Sequence, residues 1–291
     1  MTSPTIQRRL FAQAIKKYRT AAQLTPREAS VRAKKYANWV YEIERGESKQ
    51  LRRPEVERLL KACGVESASE RQRLWELVDS AREPGWWQEY DMVLPDLEAG
   101  AQRILAYEPL CVPGLLQTPE YARAVLIAAG HDACEIERRV TARMRRQQIL
   151  TRSDSPVRLD AVLDESVISK VVGSPEVMRA QVRHLVELAH APTVSVRIVA
   201  GAHAAMVGGF GLLEFDGVGP LVYLETPVGK GIVVEDGVPQ YKALHDRLTD
   251  EARSTAESVV RMAARVDALR HQGAQHEDPQ ELPHELVLGR R

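Results

Sequence analysis

The sequence predicts an α+β chain: an all-helical N-terminal domain over residues 1–83, a larger mixed α/β domain with a small sheet over residues 84–271, and a polar, disordered tail over residues 272–291. Three observations carry this. In the first eighty residues the apolar side chains recur at helical spacing, punctuated by caps and stops. Beyond Pro156, alternating stretches and helical stretches succeed one another. The last twenty residues, QGAQHEDPQELPHELVLGRR, are too polar to build a core.

Over residues 6–18, Ile6, Leu10, Ala14 and Tyr18 stand four apart with Phe11 and Ile15 beside them, which is one apolar helical face; Arg8, Arg9, Lys16 and Arg19 take the others. A second helix opens at Thr25-Pro26-Arg27-Glu28, with Thr as N-cap, Pro at the first helical position and Glu completing a capping box. Ala29 and Ala33 are small enough to let a neighbouring helix approach. A third helix over residues 37–45 has Val40 and Ile43 as buried anchors and Gly46 as its stop. Pro54 opens a fourth with Val56, Leu59, Leu60 and Cys63, closed by Gly64. Ser67-Ala68-Ser69-Glu70 offers a second capping box before Leu74, Leu77, Val78 and Ala81, and Pro84-Gly85 ends the run. Two short helices joined by a turn and backed by others have the dimensions of a helix-turn-helix.

From Gly85 the pattern changes. Trp86 and Trp87 are half of the tryptophans, and prolines interrupt any long helix up to Pro119. Helices are expected from residue 118 or 119 to about 129 and over residues 134–151. The latter carries Arg138, Arg139, Arg143, Arg145 and Arg146, but interleaved Ile136, Val140, Met144 and Ile149 favour an amphipathic packing helix over a nucleic-acid contact. Strands are expected over residues 157–163, 193–199, 210–215, 221–225 and 231–234, with a helix over 175–189. Two closing helices follow, over 241–248 and 254–269.

Composition excludes several classes. Hydrophobic residues make up 44% and charged ones 27%, ordinary globular usage. No apolar run reaches the roughly 18 to 20 residues of a membrane span, and the start lacks the apolar stretch of a secretion signal, so a cytoplasmic protein is expected. Cys63, Cys111 and Cys134 are odd in number and far apart, which supports neither a zinc site nor a disulfide framework; they read as buried thiols. The formal net charge of zero hides a division. Residues 1–53 hold 13 Lys and Arg against 4 Asp and Glu, and the rest of the chain balances them. A basic module of this size suits a polyanion, because each neutralised phosphate releases condensed counterions.

Leu24 to Gly46, LTPREASVRAKKYANWVYEIERG, resembles without a gap the helix-turn-helix of Xre (Cro/C1-type) regulators. The remainder is similar to an actinobacterial branch of that family, the Scr1-type antitoxin-like or WhiJ-like regulators, over roughly residues 8 to 270. The stretches that carry this are Gly85-Trp86-Trp87, Tyr90-Asp91, Tyr107-Glu108-Pro109, VPGLLQT at residues 112–118, Tyr121-Ala122-Arg123, Val162-Leu163-Asp164-Glu165, Gly201-Ala202-His203, Gly209-Phe210 and Val222-Tyr223-Leu224-Glu225. The resemblance implies a DNA-binding regulator with a body domain of poorly defined function and a small partner protein encoded beside it. Three positions depart from the family habit. Lys34 replaces a turn Gly, Tyr36 the Ser that starts the recognition helix, and Glu42 a late Arg or Lys. The stretch between Tyr90 and Glu98 is also shorter.

In such a module the start of the recognition helix meets base edges. Here these residues are Ala37, Asn38 and Tyr41; Asn38 has the amide that pairs with adenine, Ala37 a methyl that fits thymine. Trp39 lies beside them, either against the duplex or in the core, and Asn38 is alternatively a simple cap. Lys34, Lys35, Arg45 and Lys49 are candidate phosphate contacts, aided by the start of the second helix at Thr25. In the body, Glu165, His203 and Glu225 are candidate ligand or partner contacts; the simpler readings are an exposed loop histidine and a solvent face. Asp164 and Glu165 are adjacent, so at a strand end they diverge. No catalytic triad, metal or phosphate-loop pattern stands out, and neither enzyme activity nor a cofactor is expected; the alternative reading is a body that is an enzyme of unknown reaction, with the helix-turn-helix as a docking or targeting element. The expected partners are double-stranded DNA, a second copy of the chain, and a small protein or small-molecule effector.

Overall fold

Short helices make up the N-terminal domain, each bounded by the signals its sequence carries: α1 (Ile6–Ala21), α2 (Pro26–Arg32), α3 (Trp39–Glu44), α4 (Arg53–Ala62) and α5 (Ala68–Ser80). In the computed structural model, residues 6–48, 51–81, 94–153, 155–206, 208–217, 219–226, 231–234 and 236–276 are described. Expectations for Pro84-Gly85, Trp86, Trp87 and Tyr90-Asp91 fall outside them. The capping box of α2 is complete, with Thr25 accepting from the Glu28 N–H and Glu28 accepting from the Thr25 N–H. At α5 half of the second box forms: Ser67 accepts from the Glu70 N–H, while the Glu70 carboxylate takes the Tyr18 hydroxyl at 2.9 Å.

Helix ends follow one device. Beyond α1, α2, α3 and α4, a residue at positive φ lets its own N–H and the next one bond back into the last turn. Gly46 and Gly64 do this without strain, whereas Gln23 (φ 56°) and Lys34 (φ 58°) do it with a side chain present. Phe11, Ile15, Ala29, Ala33, Val40, Ile43, Val56, Leu59 and Leu60 share one core with both Trp39 and Trp75.

By contacts the chain divides into two compact units: Met1–Leu105, Gln148–Leu159 and Phe210–Ala243 form the first, and Ala106–Gln147, Asp160–Gly209 and Leu244–Arg291 the second. The strands among the described residues are β1 (Arg103–Glu108), β2 (Arg158–Asp164), β3 (Val194–Val199), β4 (Phe210–Glu214), β5 (Leu221–Leu224) and β6 (Ile232–Val234). They form a mixed sheet in the order β3-β2-β1-β4-β5-β6. β4, β5 and β6 run as an antiparallel meander, with Gly211 opposite Tyr223 and Tyr223 opposite Val233.

Outside the sheet lie α6 (Leu94–Gly100), α7 (Pro119–Ala128), α8 (Ala133–Gln147), α9 (Glu165–Ser169), α10 (Pro175–Leu188), α11 (Val238–Glu251) and α12 (Thr255–His276). Sequence periodicity foresees neither α6, β1 nor α9. It expects α8 to reach residue 151, where the chain instead tightens into a 3₁₀ turn at Gln148–Leu150. Residues 272–276 of the expected tail continue α12, and the rest of it lies outside the described residues. Among the cysteines only Cys63 is buried, and its thiol is pushed up to about 11 by that burial. Cys111 is half-buried and Cys134 exposed, which corrects the expectation of three buried thiols.

The arginine-rich α8 is a packing helix, with Ile136 and Val140 against Ala122 and Leu126 of α7. Its polar face laces the VPGLLQT stretch in place. Arg143 donates to the Gln117 side chain at 3.0 Å, and Gln147 donates to the carbonyls of Gly114 and Gln117. From α10, buried Gln181 donates to Leu116 O and accepts from the Thr118 N–H, both at 2.7 Å. The motif is thus a buried backbone turn whose polar groups are satisfied by side chains.

Candidate nucleic-acid interface

Helices α2 and α3 are locked by a residue that periodicity passes over. Ser30 is fully buried; its hydroxyl donates to Pro26 O at 2.8 Å and accepts the Val40 N–H at 3.0 Å. One side chain thereby fixes the start of α3 against the first turn of α2. The turn between them is held from α4, where Arg58 donates to Ala33 O at 2.9 Å. Glu44, part of the closing Glu-Arg-Gly, is engaged inside the protein. It makes a two-pronged pair with Arg19 of α1, at 2.5 and 3.1 Å, with both side chains nearly buried.

The sequence-derived candidates separate on this scaffold. Ala37, Asn38 and Tyr41 are exposed at the start of α3, and the Asn38 side chain makes no capping bond, so its amide is available to a base edge. Trp39 is 3% exposed and belongs to the core, which removes it from reach of a duplex. Lys34 is exposed at its left-handed position. Lys35 is drawn inward, its ammonium 3.0 Å from Glu55 and over the Trp39 ring, so it is already neutralised. Arg45 stacks over Tyr41 and pairs with Glu47 at 2.7 Å, leaving it on the surface with a competing carboxylate. Thr25 is taken by the capping box, and Glu28, held below the usual carboxylate range by the Thr25 N–H and hydroxyl, puts negative charge where a phosphate contact was expected. Lys49 lies outside the described residues.

Two of the three departures from the family habit turn out to be partners: the Tyr36 hydroxyl donates to the Glu42 carboxylate on the exposed face of α3. Exposed Arg27 and Arg32 on α2 add positive charge that the candidate set omitted. Their signal was present only in the basic count of residues 1–53.

In the second unit His203 is a packed group, which corrects the exposed-loop reading; its side chain is 3% exposed. Nε2 lies 3.2 Å from both the Tyr107 hydroxyl and Asp164 Oδ2, and Nδ1 accepts the Ala205 N–H at 3.3 Å. Burial pulls the Asp164 carboxyl upward, but hydrogen bonds from Ser166 and His203 outweigh it and hold it below its ordinary value. Burial pushes Tyr107 up to about 12. Asp164 also caps α9, and neighbouring Glu165 turns to Arg261 of α12 at 2.5 Å, so the two carboxylates do diverge. Glu225 stands exposed just past β5. Tyr107, on the unforeseen strand β1, is the partner that sequence reasoning missed.

Two short helices joined at a fixed turn, with an exposed N-terminal end on the second and a shared core behind, define a helix-turn-helix domain. The family described as "Helix-turn-helix domain" matches residues 10–74. That described as "Domain of unknown function (DUF5753)" matches residues 92–264, more than half of the chain, and the chain belongs to it. No curated protein and no solved structure matches. Among the described residues no helix is long and apolar enough to cross a membrane, and no cluster of His, Cys, Asp and Glu is placed to hold a metal ion.

Proposed function

We propose that the protein is a sequence-specific DNA-binding transcriptional regulator of the Xre (Cro/C1-type) class, related to the Scr1-type antitoxin-like or WhiJ-like branch. In this reading it acts in the cytoplasm on the nucleoid as a homodimer. The observation that carries it is the exposed, uncommitted Asn38 at the start of a helix that Ser30 and Glu44 hold rigidly. Rigid presentation of a few side chains is what base reading needs. The homodimer is inferred from the small number of contacts that one module makes.

The body domain, in this proposal, receives a small ligand or a small partner protein that biases DNA affinity; the antitoxin-like version has it neutralise that partner. It is not a catalyst. The constellation nearest to a catalytic one, Tyr107, His203 and Asp164, has both imidazole nitrogens engaged internally, so neither is open to an outside nucleophile.

The test is a mobility shift on fragments of the protein's own locus, with Asn38→Ala beside it. The wild type shifts a specific fragment. The variant loses preference for it by about 1 to 3 kcal/mol while random DNA is bound as before. Equal loss on both would show that Asn38 does not read a base, and no shift on any fragment, with turnover of a metabolite, would reject the reading as a whole.

A further inference from the structure

Where α1 packs on α5, at the edge of the helical core, the two helices and Gly217 border a cleft of about 450 Å³. That volume falls in the range of about 300 to 1,000 Å³ in which small-molecule sites lie. Its lining is divided by chemistry. Leu10 and Ala14 from α1 and Leu74 and Leu77 from α5 give an apolar floor, and Lys17 and Arg73 stand at the rim. Neither cation has a carboxylate partner among the described residues. The one acid in the lining, Glu70, already accepts the Tyr18 hydroxyl at 2.9 Å, and the cleft is left with one net positive charge.

We infer that this cleft binds a small amphipathic anion, an apolar tail on the leucine floor with its carboxylate between Lys17 and Arg73. A nucleic-acid backbone does not fit the same features, because its sugar-phosphate chain has no apolar body to set on four aliphatic side chains. A cation or a neutral oil leaves the two rim charges without a counterpart. The inference does not depend on DNA binding.

The test is calorimetric titration of the full chain with decanoate, in the absence of DNA, with decanol and decyltrimethylammonium as tail-matched controls. One decanoate site per chain is expected, with decanol about tenfold weaker and the cationic tail weaker still. Lys17→Gln/Arg73→Gln lowers decanoate affinity about tenfold and leaves decanol unchanged. Ala14→Trp, which fills the floor, abolishes binding of both. Absence of decanoate binding, or affinity that ignores the charge variant, overturns the assignment.

Discussion

Tyr36 and Glu42 look like two separate blemishes in a DNA-reading helix, and the structure shows them to be one feature. A carboxylate facing a duplex costs affinity by repelling phosphates, and the tyrosine hydroxyl fixes its direction without removing its charge. Two roles for the pair make opposite predictions. If Glu42 is a brake, Glu42→Gln tightens binding to any sequence by roughly threefold at low salt, and the gain fades as salt rises. If Glu42 accepts from a cytosine amine, the same change weakens the cognate site alone. We expect the first outcome, because the carboxylate is already occupied by Tyr36; competition binding at two salt concentrations decides. Lys34 illustrates the limit of reading single positions. The chain keeps the left-handed turn with a Lys in place of Gly, and tolerates a side chain there because Ala33, Lys34 and Lys35 are all tied back into α2.

Elements were legible where their signals are local. The α2 capping box, the Gly46 and Gly64 stops and the alternation of β3 are each visible in a few consecutive residues, and each forms as expected. Strand β1 was not legible for a physical reason: Ile104, Leu105, Ala106 and Tyr107 are all buried, so both faces are apolar and no alternation marks it. Likewise nothing in the spacing of Asp164 and His203 announces that a loop brings them together, and the role of Ser30 depends on Val40, ten residues further on. That last dependence is measurable. Ser30→Ala deletes the acceptor of a buried N–H and the donor to a buried carbonyl, so it should cost about 1 to 3 kcal/mol in denaturant midpoint analysis. It should also blunt sequence preference, since α3 loses its fixed start. A change in stability below a few tenths of a kcal/mol would mean that water replaces the hydroxyl and that α3 is held by its apolar anchors alone.

At the scale of the molecule, charge is segregated along the chain, and this fixes how it responds to pH and to salt. Asp96 on α6 is buried and its pKa is pushed up to about 6 by that burial, against the opposing pull of Arg8 and Arg9. A carboxyl that holds its proton more tightly when folded makes the fold most stable below its unfolded pKa of about 4, and that contribution, on the order of 3 kcal/mol, is lost as pH rises through 6. Stability of the wild type relative to Asp96→Asn should therefore fall between pH 4 and pH 6; a constant difference would mean that Asp96 titrates normally. Salt acts on the basic half. The sequence count of net +9 over residues 1–53 suggests many phosphate contacts, but Arg19, Lys35 and Arg45 are each paired with a glutamate. Each contact contributes about 0.9 to the log-log slope, so a range of roughly 4 to 8 for a dimer contracts toward 4 once those pairs are set aside. Titrating binding across a tenfold range of salt measures this directly. A slope near 8 would show that the internal pairs open on the duplex, and a nearly flat line would show that the basic segment does not meet phosphates at all.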